Sequence, residues 1–444
     1  MKKQFIYLIL LLGTTVTAHA QNASGKLLFD NVESLFLYAE QNSSVIRNNN
    51  QQALLAKYEK VEAIANVVNF RNENSFILTD NTSQAVQFIP SEILGGEPGT
   101  FKEVTLGQKY VSAFNISPQI DIINPAAWSQ VKRAKINRQL VEINNLLSKK
   151  SLYESIAACY FNILSFQEQI LITRDNINVS DSLCKMARNK LEQGIISKQE
   201  VNEVKANYLQ LSDKLAQCSA SLEEQYNYLK VLCDIPLETE VCIDAKTDNT
   251  LVFSTDLFPT SDLAVKFARI QSEIAKFDLT TNRLFQLPVV SAFYSWSYNQ
   301  NSNNRFFDNN INSSQWLRTN YVGVKLSFAF PDINRTIQIR KAKADYEISR
   351  INLDNAQHEN EQDNRQLIID YQKTYQQYAN KQQVYELMKE NYQMDMNRYT
   401  EEVISMKDLL ESFDKMLIAN FDIVGIHANL LFLEYKIIIY NKIQ

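Results

Sequence analysis

The sequence predicts a mainly α protein made of a few very long helices, with a small β part in two hairpins. Three observations carry that class. The 444 residues include only 9 Gly and 8 Pro, too few breakers to cut the chain into many short elements. Two stretches, around 110–122 and 316–330, alternate apolar and polar residues with the period of a strand. The phrase LEQGIISKQEV at 191–201 recurs as YTEEVISMKDL at 399–409, so that Ser197 falls on Ser405 and Glu200 on Asp408, 208 residues on. The same offset brings Ala134-Lys135 onto Ala342-Lys343 and Leu209 onto Leu417. Two structural copies of a helix, hairpin, helix, helix unit are the economical explanation.

Residues 1–20 have the pattern of a secretory signal peptide. Lys2 and Lys3 precede an apolar run from Phe5 to Leu12, and Ala18-His19-Ala20 supplies a small-x-small cleavage site. Cleavage there takes the formal charge from −5 to −7 by removing two lysines. No Cys follows the site, so lipid attachment at that point is not expected. The remainder divides into a first repeat over 21–236, a linker over 237–260 and a second repeat over 261–444.

In the first repeat, Asp30 is expected to cap the short helix VESLFLYAEQN, and Asn42-Ser43-Ser44 to break it and cap a second helix ending near 68. A hairpin follows over about 69–122. Its second strand places Tyr110, Phe114, Ile116, Ile120 and Ile122 on one face, and Ala113, Asn115, Ser117, Gln119 and Asp121 on the other. SEILGGEPGTFKE between its strands is expected to be a loop. Asn124 then caps a helix with Pro125 at its first position. Nothing breaks it before about Gln193, which makes a rod on the order of 100 Å at about 1.5 Å per residue. After a tip near 194–197, apolar residues at 201, 204, 208, 211, 215, 218 and 222 form a heptad seam that ends near Cys233.

The second repeat has the same order. A helix runs from Asp262 to about Phe285, then a hairpin over about 288–330 with an Asn-rich loop inside it. Tyr294, Trp296 and Tyr298 share one face of its first strand. Trp316, Val322, Val324, Leu326 and Phe328 share one face of the second, with Thr319, Gly323, Lys325 and Ser327 opposite. Pro331-Asp332 starts another long helix, whose stripe at Tyr371, Tyr375, Tyr378, Tyr385, Met388 and Tyr392 is expected to be packing. A tip near 402–405 and a last helix over 406–442 close the chain.

Composition excludes several function classes. A negative chain lacks the clustered Lys and Arg that phosphate binding needs, so nucleic acid is not an expected partner. Past the leader, no run of 18 or more apolar residues is present, so no helical membrane span is expected, whereas a β-barrel span stays open. Cys159, Cys184, Cys218, Cys233 and Cys242 form no C-x-x-C pair, and only His358 and His427 follow the leader. No metal or cofactor site is therefore expected. Cys233 and Cys242 flank a turn, which leaves a disulfide open beside buried free thiols. With no G-x-S-x-G and no Gly-rich phosphate loop, the chain is not expected to be an enzyme.

A lone hairpin is marginal in water and leaves two unpaired edges. The hairpins are thus expected to join those of other chains in a closed barrel. Tyr294, Trp296, Tyr298, Trp316, Val322, Val324, Leu326 and Phe328 would face lipid, with the polar face of Thr319, Lys325 and Ser327 toward a wet lumen. A plain coiled-coil scaffold or periplasmic adaptor without a barrel is the reading from another class.

The duplicated order, LPVVSAFYSW, VGVKLSFAFPDINRTIQIRKAKADYEIS at the strand-to-helix crossing, and the turn phrases KLEQGIISKQEV and RYTEEVISMKDLL resemble the TolC family of outer-membrane efflux proteins. The resemblance covers nearly all of the chain after the leader. Asp332-Ile333-Asn334 departs from the Gly-Gly that often follows the strand-ending proline, and Glu402 stands where the family usually places Gly. The resemblance implies a homotrimer in the outer membrane, each protomer giving four strands to one twelve-stranded barrel, which antiparallel helices extend as a coiled-coil tube through the periplasm. It also implies a periplasmic adaptor and an inner-membrane pump as partners. The function implied is a passive exit duct for small molecules, with type I protein secretion as the alternative.

Site residues follow from the same likeness. Asp408 and Glu411, on one helix face, correspond to carboxylates that ring the periplasmic constriction, and helix capping explains their place equally. Tyr399 corresponds to a tyrosine that ties the closed tip, with packing as its plain reading. Gly194, Ser197, Glu200, Glu402 and Ser405 form the tips that the adaptor would contact. Ser197 with Glu200, and Ser405 with Asp408, have the spacing of capping boxes.

Overall fold

The computed structural model describes residues 26–244, 258–259, 261–309, 315–328 and 331–443. The expected leader and much of the expected linker lie outside them. The chain divides into two compact units, one drawn from residues up to Arg47, Lys150–Pro259 and Leu367–Lys442, the other from Asn48–Lys149 and Thr260–Gln366 with the last two residues.

Strand β1 (Leu27–Phe29) leads to helices α1 (Val32–Asn42) and α2 (Ser44–Val68). The cap of α1 is Asn31, not Asp30: its side-chain oxygen accepts the Ser34 N–H at 2.8 Å. A cap serves the amide three residues on, so the helix start at Val32 selects Asn31. After α2 come β2 (Arg71–Asp80), β3 (Ala85–Pro90), β4 (Phe101–Leu106) and β5 (Tyr110–Ile123). The segment expected to be a loop is mostly the connection of a second hairpin, β3 paired antiparallel with β4, and only Phe101–Glu103 of it lie in a strand. Its pairs mix polarity, with Val86 opposite Thr105 and Phe88 opposite Glu103. Neither face is uniformly apolar, which erases the period-two signal.

Helices α3 (Pro125–Glu192) and α4 (Lys198–Cys233) follow, then β6 (Val241–Ile243), α5 (Leu263–Leu284), β7 (Val289–Ser302), β8 (Trp316–Ser327), α6 (Ile333–Thr400) and α7 (Met406–Lys442). The linker is not wholly irregular, since β6 pairs parallel with β1; three residues are too short to show a period. Adding 208 to 125 and 192 gives 333 and 400, the bounds of α6, and adding it to 198 gives 406, the start of α7. The caps match as well. Asn124 accepts the Ala127 N–H at 3.1 Å, and Asp332 accepts the Arg335 N–H at 2.9 Å.

In the helical unit, α4 buries Val204, Leu211 and Cys218, seven residues apart on the expected seam. Tyr371 is buried with Leu367, Leu430 and Ile437, and Tyr375 and Tyr378 pack against them. The Tyr stripe is a packing stripe here. Helix α7 corrects one expectation, because by length and composition it is apolar enough to cross a membrane. Its fully buried Phe413 packs with Leu211 of α4, and its Leu430 and Ile437 with α6. Its apolar side chains thus serve α4 and α6 at once, although only 22% of its most apolar window is buried. All five cysteines are free thiols, Cys233 and Cys242 among them.

In the other unit, β2, β5, β7 and β8 form one antiparallel sheet in that order. At its helix-bearing end the Asp121 carboxylate is buried and gathers the junction. Asn69, Asn124 and Ser291 donate to it at 2.8, 3.2 and 2.8 Å, and Arg71 lies 3.5 Å away.

Candidate functional site

The sheet has two unlike faces, and register fixes which residues share each. One row across the four strands reads Phe76, Phe114, Tyr298, Arg318, and the next reads Asn74, Ile116, Trp296, Asn320. The same face continues on β8 through Val322, Val324 and Leu326. These three are 80%, 70% and 58% exposed, and Phe328 beyond the strand is 66% exposed. Trp296 stacks on Tyr298, Tyr298 on Trp316 at 4.8 Å, and Phe76 on Phe307 at 5.7 Å, with Phe114 tilted against Phe76. An aromatic band thus crosses all four strands above an exposed aliphatic band. All eight residues singled out for this face, including Tyr294, share it by register or by continuation of the strand.

The opposite face carries Ser75, Asn115, Ser297 and Thr319 in a single row. Asn115 donates to Ser75 at 3.2 Å and accepts from Ser297 at 2.7 Å. Asp121, Ser291 and Lys325 form another row. Among the described residues, the outer strands β2 and β8 pair on one side only. Such a sheet wraps polar groups where a soluble protein would bury apolar ones, and presents open edges.

In the helical unit, two turns join the long helices and make the same hydrogen bonds. At the first, Gly194 donates to the Leu191 carbonyl at 2.9 Å and Ile195 to Lys190 at 2.9 Å; at the second, Glu402 donates to Tyr399 at 3.1 Å and Val403 to Arg398 at 2.8 Å. Both are Schellman endings with a left-handed residue, Gly194 at φ 76° and Glu402 at φ 63°. Both following helices open with a capping box. Ser197 and Glu200 exchange bonds of 2.8 and 3.3 Å, and Ser405 and Asp408 of 3.1 and 3.3 Å. The Ser405 hydroxyl and amide hold the Asp408 carboxyl below its ordinary pKa.

Tyr399 is buried with Leu183, Ala187, Val204, Met406, Leu409 and Leu410. Its hydroxyl is buried without a hydrogen-bond partner among the described residues. Burial, with Glu200 and Glu402 nearby, raises its pKa. Glu411 pairs with Lys415 at 2.7 Å. Two features escape sequence reading. The Lys190 ammonium lies 4.4 Å from the Tyr399 ring centre and 3.6 Å from the Glu402 carboxylate, tying one tip to the other. Beneath the tips, buried Asn207 donates to Asp414 at 2.7 Å and accepts from the buried Ser180 hydroxyl at 3.3 Å. Burial raises the Asp414 pKa while Asn207 opposes the rise. Only the heptad position of Asn207, beside the seam, hints at it in the sequence.

Among the described residues no three His, Cys, Asp or Glu side chains gather as metal ligands. His358 lies 4.0 Å from Asp354 on an exposed helix face. His427 stacks on Tyr378, and burial lowers its pKa.

No protein-family model and no curated protein matches the sequence. Solved structures do. The outer membrane protein VceC of Vibrio cholerae is 14% identical, with a TM-score of 0.71, over 92% of this chain and 95% of that one. The CmeC outer membrane channel of Campylobacter jejuni is 14% identical at TM-score 0.73, over 93% and 85%. The open-state MtrE outer membrane channel of Neisseria gonorrhoeae is 13% identical at TM-score 0.68, over 93% and 89%. The chain has the fold of these outer-membrane channels.

Proposed function

We propose that the chain is the protomer of a trimeric outer-membrane efflux duct of the TolC type. Three four-stranded sheets close edge to edge, β8 of one protomer beside β2 of the next, into a twelve-stranded barrel. The supporting observation is the sheet itself: an exposed aromatic and aliphatic face, a hydroxyl- and amide-lined face, and one open edge on each side. Closure satisfies the open backbone groups, which lipid cannot do. The 208-residue correspondence of helices, caps and turns supports descent of the two halves from one unit.

The helix pairs continue the barrel as a periplasmic tube, and the tips form its far end. There Gly194, Ser197, Glu200, Glu402 and Ser405 contact a periplasmic adaptor, and an inner-membrane pump supplies the energy. Asp408 and Glu411, three copies each, set the charge of the opening, and the lowered Asp408 pKa keeps that carboxylate ionised. Tyr399 and Lys190 hold the tips together. The duct itself performs no catalysis. Small molecules are the cargo proposed.

Fractionation of envelopes tests this reading. The protein is expected in the outer membrane as a trimer by detergent-corrected mass. Val324→Asp or Phe328→Asp, on the lipid side, should impair assembly, each at a cost below the about 2–4 kcal/mol of a mid-bilayer Arg or Lys. A soluble periplasmic monomer, with both variants unaffected, would sink the duct.

A further inference from the structure

Two aromatic side chains stand on the sheet's hydroxyl-lined face. Phe293 of β7 is opposite Gly323 of β8, and Tyr321 precedes Gly323 by one strand period. The Phe293 ring lies against the glycine: a Cβ there would come within 2.8 Å of its Cζ and 2.9 Å of its Cε1. Tyr321 meets that ring edge to face, centroids 6.0 Å apart at 84°. Cross-strand shielding of glycine accounts for Phe293 and Gly323. It leaves Tyr321 unexplained, which is 56% exposed on a face that carries Ser291, Ser295, Ser297 and Thr319 beside it, with apolar Leu317 further along the strand.

We infer that Phe293 and Tyr321, seated by Gly323, form a lumenal contact site for planar aromatic groups of the cargo. The inference rests on the duct reading, which turns this face inward and repeats the pair three times around the barrel. An aromatic ring offers a flat or edge-on contact to another ring and little to an aliphatic group of equal charge. Lys325, one strand period beyond Gly323 on the same face, gives any anion the same attraction whether or not it carries a ring.

The test is a planar-bilayer recording of the purified protein with naphthalene-2-sulfonate or cyclohexanesulfonate added on the barrel side. Current should be blocked by the naphthalene compound at about three- to tenfold lower concentration than by its aliphatic counterpart, the size of one ring contact. Phe293→Leu and Tyr321→Leu keep apolar bulk, and should remove that preference while leaving open current unchanged. Gly323→Ala should displace the Phe293 ring and weaken the preference as well. Open current with equal block by both compounds, or a preference that survives both leucine variants, overturns the aromatic site and leaves the duct standing. No current from wild-type protein overturns the duct reading and the inference with it.

Discussion

The ends of α3 and α6 make the same turn with different residues. In one, the left-handed position holds Gly194, which adopts φ 76° without steric penalty; in the other it holds Glu402 at φ 63°. A residue with a Cβ in that conformation costs about 1–2 kcal/mol. The second tip offsets the cost with packing the first lacks and with an ion pair the two tips share. Tyr399 is 2% exposed, whereas Leu191, 208 residues earlier, is half-buried. Lys190 bonds across to Glu402. One turn rests on backbone freedom and the other on packing and charge, so the two respond to different perturbations.

Removing the packing should separate them most. Tyr399→Ala should lower the opening free energy of the second tip by about 3–5 kcal/mol, the usual cost of deleting a buried aromatic side chain. Hydrogen exchange at amides 399–409 reads it. Leu191→Ala should cost the first tip less than half as much; equal losses would end the distinction. Tyr399→Phe should cost nothing measurable, because the buried hydroxyl has no partner among the described residues.

Exchanging the left-handed residues comes next. Gly194→Val should destabilise the first tip by about 1–2 kcal/mol through backbone strain. The cause is conformational, since nothing lies within 4 Å of a Cβ at Gly194. Glu402→Gly should gain up to about 1 kcal/mol in the second, reduced by loss of an ion pair worth about 0.2–1 kcal/mol. The same exchange measurement reads both, and a loss on Glu402→Gly would show the Lys190 contact outweighing the strain.

The caps should behave alike. Ser197→Ala and Ser405→Ala should each cost about 1 kcal/mol of local stability. A wide disparity would show that the matching hydrogen bonds do not have matching strength. The smallest effect is one of titration. Hydrogen bonds from Ser405 depress the folded pKa of Asp408. The stability this gives is therefore present above the ordinary carboxylate range and lost as pH falls through the folded value. NMR titration of the Asp408 carboxyl should find it depressed in the native protein and moved upward by Ser405→Ala.

Much of this contrast was legible in the sequence. Asn124 and Pro125 mark the start of α3, and the 208-residue offset carries that start onto Ile333. Gly194 against Glu402 is visible as soon as the two phrases are aligned. The rest depends on distance. Lys190 and Glu402 are 212 residues apart, and no local pattern says that the tips of one chain touch. Asn207 and Asp414 meet for the same unreadable reason. The β3–β4 hairpin was lost because both its faces are mixed, whereas α7 was read at its observed bounds, Met406–Lys442. For Asp30 and Asn31, two adjacent capping types differ only in which amide they can serve.

The five thiols bear on experimental access to the tips. Burial pushes Cys159 and Cys233 up to about 12, so both stay protonated at neutral pH and react poorly with thiol reagents. Replacing the half-buried Cys184 and Cys242 with serine would leave few sulfurs to compete with engineered cysteines. A pair introduced at the two turns could then be joined by oxidation and released by reductant, turning the link between the tips into a chemical lock that opens on command.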